Sequence, residues 1–122
     1  MPHEATIDRY CEAWSDPDPV RRAAALADVW AADATYTDPI VHAEGAKALL
    51  EHIAGVHAQM PGARIVRTSE VQVHHDVARF AWQVVLPDGK TLPEGLDLAI
   101  FDGSHRIKRI VGFFGPLAQL NS

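Results

Sequence analysis

Residues 30–39, Trp30-Ala31-Ala32-Asp33-Ala34-Thr35-Tyr36-Thr37-Asp38-Pro39, divide the chain into two kinds of sequence. From Ala34 the stretch reads as a short extended segment, and Pro39 pushes Asp38 out of the helical region. Upstream, Ile7, Tyr10, Cys11 and Trp14 fall at i, i+3, i+4 and i+7, one apolar stripe on a helix. Ser15-Asp16-Pro17-Asp18-Pro19 breaks that helix. Asp18 before Pro19 then supplies an N-cap and a first-turn proline for a second one. Its predicted inner face carries Val20, Ala23, Ala24, Ala27 and Trp30. After the extended segment a third helix is predicted over about 44–60, with Ala46, Leu49, Leu50, Ile53, His57 and Met60 in register, ending at Pro61-Gly62.

The second half reads as strands. Residues 64–74 alternate imperfectly, with Ile65, Val71 and Val73 apolar, up to a turn at His75-Asp76. Residues 77–86 form a strong strand, and Pro87-Asp88-Gly89-Lys90 is a turn. Residues 91–102 and 106–114 make a last hairpin through Asp102-Gly103-Ser104. Three helices followed by a four-strand meander predict an α+β fold: helices closing one face of a curved antiparallel β-sheet, with a pocket on its concave side. The chain has 122 residues and no repeat or linker, which fits a single domain over 1–122.

Composition narrows the function classes. A 48% hydrophobic and 22% charged chain is an ordinary globular one. Net charge is −5, and basic residues cluster only at Arg106, Lys108 and Arg109, which argues against nucleic acid as a partner. No apolar run approaches the roughly 20 residues of a membrane span, and the first residues lack a signal peptide's basic and apolar regions. The single cysteine, Cys11, cannot form an internal disulfide, so a cytoplasmic, reducing setting is expected. His52 and His57 are five apart and His74-His75 falls at a turn, so the seven histidines show no metal-ligand spacing. There is no glycine-rich phosphate loop, serine elbow or paired-cysteine motif, and no cofactor or metal is expected.

Three residues stand out chemically. Asp97 interrupts Leu96-Asp97-Leu98-Ala99-Ile100-Phe101, a strand apolar on both faces, where a carboxylate is costly unless paired or protonated. It could instead reach water at an edge. Asp38 precedes proline at the end of a short strand, where a carboxylate also commonly caps local amides. Tyr10 lies on the apolar stripe, as a core aromatic or as a proton donor.

The stretch 30–39, Gly45 opening a helix, Leu96 to Asp102, and Arg106-Ile107 together resemble the SnoaL-like and ketosteroid-isomerase-like branch of the nuclear transport factor 2 (NTF2-like) superfamily. The likeness spans about residues 7–114. It implies a cone-shaped NTF2-like, cystatin-like α+β barrel. Against ketosteroid isomerase, Arg9-Tyr10 stands in the place of the first-helix tyrosine and Asp38-Pro39 in that of the catalytic base. Asp97, five residues before Asp102, stands in the place of the protonated aspartate. Phe80 and Phe114 take the places of pocket aromatics. Trp82, Val84, Ala99, Ile110 and Gly112 share the inward face by period two. Trp30 and Ile53 occupy the places of supporting tyrosines, and with Trp14 complete the expected ligand-binding set.

The resemblance implies proton transfer beside a carbonyl. Asp38 would remove the proton, while Tyr10 and a neutral Asp97 donate hydrogen bonds to the developing oxyanion. A small hydrophobic carbonyl compound would be the ligand, and double-bond isomerisation or aldol-type cyclisation the reaction, without cofactor. A non-catalytic binding domain is the alternative. Epoxide hydrolysis, also known on this fold, would need an arginine beside a strand aspartate, and none lies between Gly95 and Phe101. The resemblance further implies a homodimer through the sheet's outer face, with Leu96, Leu98 and Ile100.

Overall fold

The computed structural model describes residues 2–121. Its helices are α1 (His3–Ser15), α2 (Pro19–Val29) and α3 (Gly45–Gln59). Its strands are β1 (Trp30–Thr37), β2 (His42–Glu44), β3 (Arg64–Arg67), β4 (Gln72–His74), β5 (Val77–Val85), β6 (Gly95–Phe101) and β7 (Ile107–Phe114). The strands form one curved sheet in the order β2-β1-β7-β6-β5-β3, with β4 also on β5.

The stripe on α1 is buried as its spacing predicts, with Ile7, Tyr10, Cys11 and Trp14 all in the core. The N-cap of α2 also forms: Asp18 accepts a hydrogen bond from the Arg21 amide at 3.0 Å. The buried face of α2 is not the predicted one. Arg22, Ala25, Leu26 and Val29 point inward, while Val20, Ala24 and Ala27 are exposed. The larger side chains Leu26 and Val29 set the rotation. Arg22 fits the same face because its guanidinium donates to the carbonyls of Asp16 (3.1 Å) and Pro17 (3.3 Å).

Trp30 is not the last inward residue of α2. It opens β1, so the extended segment is an eight-residue strand. That strand pairs with β7 in parallel, Tyr36 opposite Ile110, and the sheet is otherwise antiparallel. The predicted strand over 64–74 divides into β3 and β4, both antiparallel to β5. Between them the Ser69 hydroxyl accepts the Ala81 amide at 2.8 Å, so a side chain replaces a ladder carbonyl there. Residues before Gly95 in the predicted strand 91–102 stay outside β6, apart from an isolated bridge of Thr91 to Val85.

The core lies between the helices and the concave face, around Leu26, Leu49, Ile53, Phe80, Ile107 and Ile110. No helix among the described residues is long and apolar enough to cross a membrane.

Candidate functional site

The concave face, α1 and α3 enclose a cavity of about 830 Å³. That size suits one small organic ligand. Tyr10 and Trp14 from α1, Tyr36 from β1, His52 from α3, and Phe80 and Trp82 from β5 supply its aromatic wall. Asp38 and Asp97 both open into it.

Asp38 follows β1 directly. Its Oδ1 accepts the amides of Ile40 (2.8 Å) and Val41 (2.9 Å), while its own amide donates to the Val41 carbonyl (2.9 Å). The turn-capping role and the cavity position therefore coexist in one side chain. Tyr36, two residues earlier on the same face, donates its hydroxyl to Asp38 Oδ2 at 2.6 Å. A carboxylate offers about four acceptor sites. Three are filled, which fixes the rotamer and leaves about one for a ligand.

Asp97 is only 5% exposed. Burial raises its pKa to about 7, the nearby Asp38 charge adds to the rise, and the hydrogen bond from Trp82 opposes it. That bond runs from the indole Nε1 to Asp97 Oδ1 at 2.8 Å. Two glycines make the arrangement possible. Gly95 lets the Trp82 indole lie flat against the backbone, where a methyl group would overlap the ring. Gly112, opposite Asp97 across the β6–β7 ladder, has the carboxylates on two sides. A Cβ there would sit 2.8 Å from Asp97 Oδ1 and 3.6 Å from Asp38 Cβ. Gly112→Ala is therefore expected to displace the Asp97 carboxylate and to lower stability by about 1–3 kcal/mol, read from chemical denaturation.

Tyr10 is fully packed. Its ring stacks on Trp30 at 5.9 Å and meets Trp14 edge-on at 6.5 Å. Its hydroxyl and the Trp14 and Trp30 indole N–H groups have no protein hydrogen-bond partner among the described residues. Burial raises the phenol's pKa well above its ordinary range. Burial, then the Asp38 hydrogen bond, raises that of Tyr36. Both tyrosines are neutral donors at any ordinary pH. The Cys11 thiol is pushed up to about 12 by burial, so it is unreactive wall.

Of the expected ligand-binding residues, Trp14, Phe80, Trp82, Val84 and Phe114 line the cavity. Trp30, Ile53, Ala99, Ile110 and Gly112 do not. They form the layer behind it: Trp30 under Tyr10, Ile53 in the core, Ala99 paired with Ile110, and Gly112 under Asp97. The alternating period put Ala99, Ile110 and Gly112 on the correct face, and the resemblance supplied Trp30 and Ile53, but neither could tell wall from backing. Tyr36 and His52 were not singled out by the sequence. Tyr36 had a readable signal, its i, i+2 relation to Asp38. His52 packs against Tyr36 (6.0 Å) and Trp14 (5.7 Å), so the helix face toward the cavity carries it. His57 is instead tied to the Trp14 carbonyl at 2.7 Å, and His42 is exposed beside Thr37.

Comparison with known proteins bears on this geometry. The family model described as SnoaL-like domain matches residues 7–110. The chain belongs to the SnoaL-like family. Its fold is the one that solved structures described as NTF2-like and as ketosteroid-isomerase-like also adopt. It is similar to a SnoaL-like family protein of Agrobacterium tumefaciens str. C58, provisionally described as an isomerase. The identity is 28% and the TM-score 0.88, over 95% of this chain and 100% of that one. A Sinorhizobium meliloti protein provisionally described as a polyketide cyclase shares the fold at 18% identity and TM-score 0.70, with 92% and 94% covered. So does a Catenulispora acidiphila DSM 44928 protein of ketosteroid-isomerase-like fold, in complex with trimethylamine, at 15% identity and TM-score 0.71, with 90% and 85% covered. No curated protein matches the chain.

Proposed function

We propose that this SnoaL-like domain binds a small hydrophobic carbonyl compound and catalyses proton transfer next to the carbonyl. The observation that carries this reading is the pair of unlike carboxylates in one apolar cavity. Asp38 keeps an acceptor site after three hydrogen bonds, whereas burial keeps the proton on Asp97 up to a pH of about 7. Asp38 is the base. Asp97 donates from Oδ2, which takes no hydrogen bond among the described residues, and the unpartnered Tyr10 hydroxyl is the second donor to the oxyanion. Isomerisation of a double bond and aldol-type cyclisation both use this pair, and cavity shape selects between them. The test is deuterium uptake from D2O into a simple enone, followed by NMR with and without protein. Saturable uptake is the expected result, and uptake no faster than in buffer overturns the reading.

A binding-only role has one observation in its favour: two of the three donors that orient Asp38, the Ile40 and Val41 amides, make an ordinary turn cap. It would show as saturable quenching of tryptophan fluorescence by the enone without deuterium uptake.

We also propose that the protein is cytoplasmic and pairs with a second copy through the outer face of the sheet. Leu96 and Leu98 are each 37% exposed and Phe113 is 50% exposed. The ladder sets Leu96 beside Phe113 and Leu98 beside Val111, making one contiguous apolar patch. Leu98→Lys is expected to convert a dimer to a monomer in light scattering; an unchanged mass would sink the assignment.

A further inference from the structure

Away from the cavity, three metal-ligating side chains from distant parts of the chain meet at one place. His3 opens α1, Asp76 lies in the turn between β4 and β5, and His105 lies in the turn between β6 and β7. One ligand atom from each lies within 4.8 Å of the other two. None of the three lines the cavity. We propose that His3, Asp76 and His105 form a binding site for a divalent transition-metal ion of the zinc type.

The geometry suits an ion better than a direct contact. His3 Nε2 is 3.5 Å from Asp76 Oδ1, longer than a good hydrogen bond. It matches the separation of about 3.4 Å between two ligands held tetrahedrally at about 2.1 Å from zinc. His3 is locked in place by a face-to-face stack on Phe101, with ring centres 4.0 Å apart and planes at 13°. The two turns are fixed as well. The Phe101 amide donates to the Asp76 carbonyl at 2.9 Å, and the His105 amide donates to the Asp102 carbonyl at 3.0 Å. Asp76 and His105 both adopt left-handed backbone, φ 63° and 62°, which fixes the direction in which each side chain leaves its turn. The rings of His3 and His105 are 5.5 Å apart and inclined at 51°, so they are not stacked and their nitrogens can face a common point.

Charge and access agree with this assignment. Two neutral imidazoles and one carboxylate form a set suited to zinc, nickel or copper. The adjacent cation, Arg106, is drawn off to the Ala27 carbonyl at 2.7 Å. Asp76 and His105 are exposed, so an ion can enter and a water can complete the tetrahedron. Binding at Nε2 puts the ring proton of His3 on Nδ1, which is buried without a protein acceptor among the described residues. A good metal-binding histidine normally has such an acceptor, so the site should be weaker than a closed structural zinc centre.

The test is calorimetric titration of Zn2+ into the full chain, free of any histidine tag, with thermal melting as a second readout. One ion per chain and a raised melting temperature are expected. His105→Ala and Asp76→Asn, both at exposed positions, should each weaken binding by about tenfold or more, since loss of a mere supporting group already costs that much. The double variant His74→Ala/His75→Ala should bind as the wild type does. Absence of stoichiometric binding overturns the proposal. So does wild-type affinity in His105→Ala, or a loss confined to the His74/His75 variant.

Discussion

Asp38→Asn is expected to slow deuterium exchange into an enone by a factor of about 10²–10⁴, the usual contribution of a positioned general base. The variant is informative because the substitution preserves the turn. The Asn carbonyl can take the place of Oδ1 and accept the Ile40 and Val41 amides. The Tyr36 hydroxyl, which donates to Oδ2, can reverse and accept from the new amide instead. Only basicity is lost. Urea midpoints of variant and wild type should therefore agree closely while exchange collapses. If the two fall together, Asp38 is a turn cap and its place in the cavity wall is incidental. Asp38→Ala would not make that distinction, because it strips a partner from two amides and a phenol at once.

These two carboxylates were legible in the sequence for different reasons. Asp97 is a lone charge in an apolar strand, and the cost of burying it is readable without coordinates. Asp38 was marked by the proline after it. What the sequence hid was the set of groups that hold them. Trp82 reaches Asp97 across a strand pair whose register sets Trp82 opposite Gly95 and Phe80 opposite Asp97, and no local pattern encodes that register. The fold divides in the same way. Stripes of period 3.6 located the helices, yet the inward face of α2 turned on which apolar side chains were largest and on carbonyls that could take up Arg22. Trp30 extended a helical pattern and was drawn into β1 by pairing with Ile107 across the sheet. His3, Asp76 and His105 are separated by most of the chain, so their meeting is a product of topology and two left-handed turn residues.

Asp97 makes a second, thermodynamic prediction. Folded, its pKa is raised from 3.8 to about 7, chiefly by burial, so the native state holds this proton more tightly than the unfolded chain does. Below the unfolded value both states are protonated and Asp97 imposes no penalty. As pH rises beyond it, the unfolded chain releases the proton while the native state keeps it, and stability falls. The fall ends once the native group ionises near 7, after a total loss of about 4 kcal/mol. Asn at this position cannot ionise, and its carbonyl can still accept the Trp82 N–H. Asp97→Asn is therefore expected to match the wild type in urea unfolding at about pH 3, below the unfolded value, and to exceed it by about 4 kcal/mol at about pH 8. Taking the difference between variant and wild type cancels the titrating groups that do not interact with Asp97, such as Asp16, whose pKa is lowered by its hydrogen bond from Arg21. Parallel profiles would mean that Asp97 ionises normally, and the neutral donor would then have to be sought elsewhere. If the profiles diverge, the same variant refines the chemistry. Its side-chain N–H can replace the carboxyl O–H as a donor to an oxyanion, so its exchange rate should fall less than that of Asp38→Asn, separating the group that moves the proton from the group that steadies the charge.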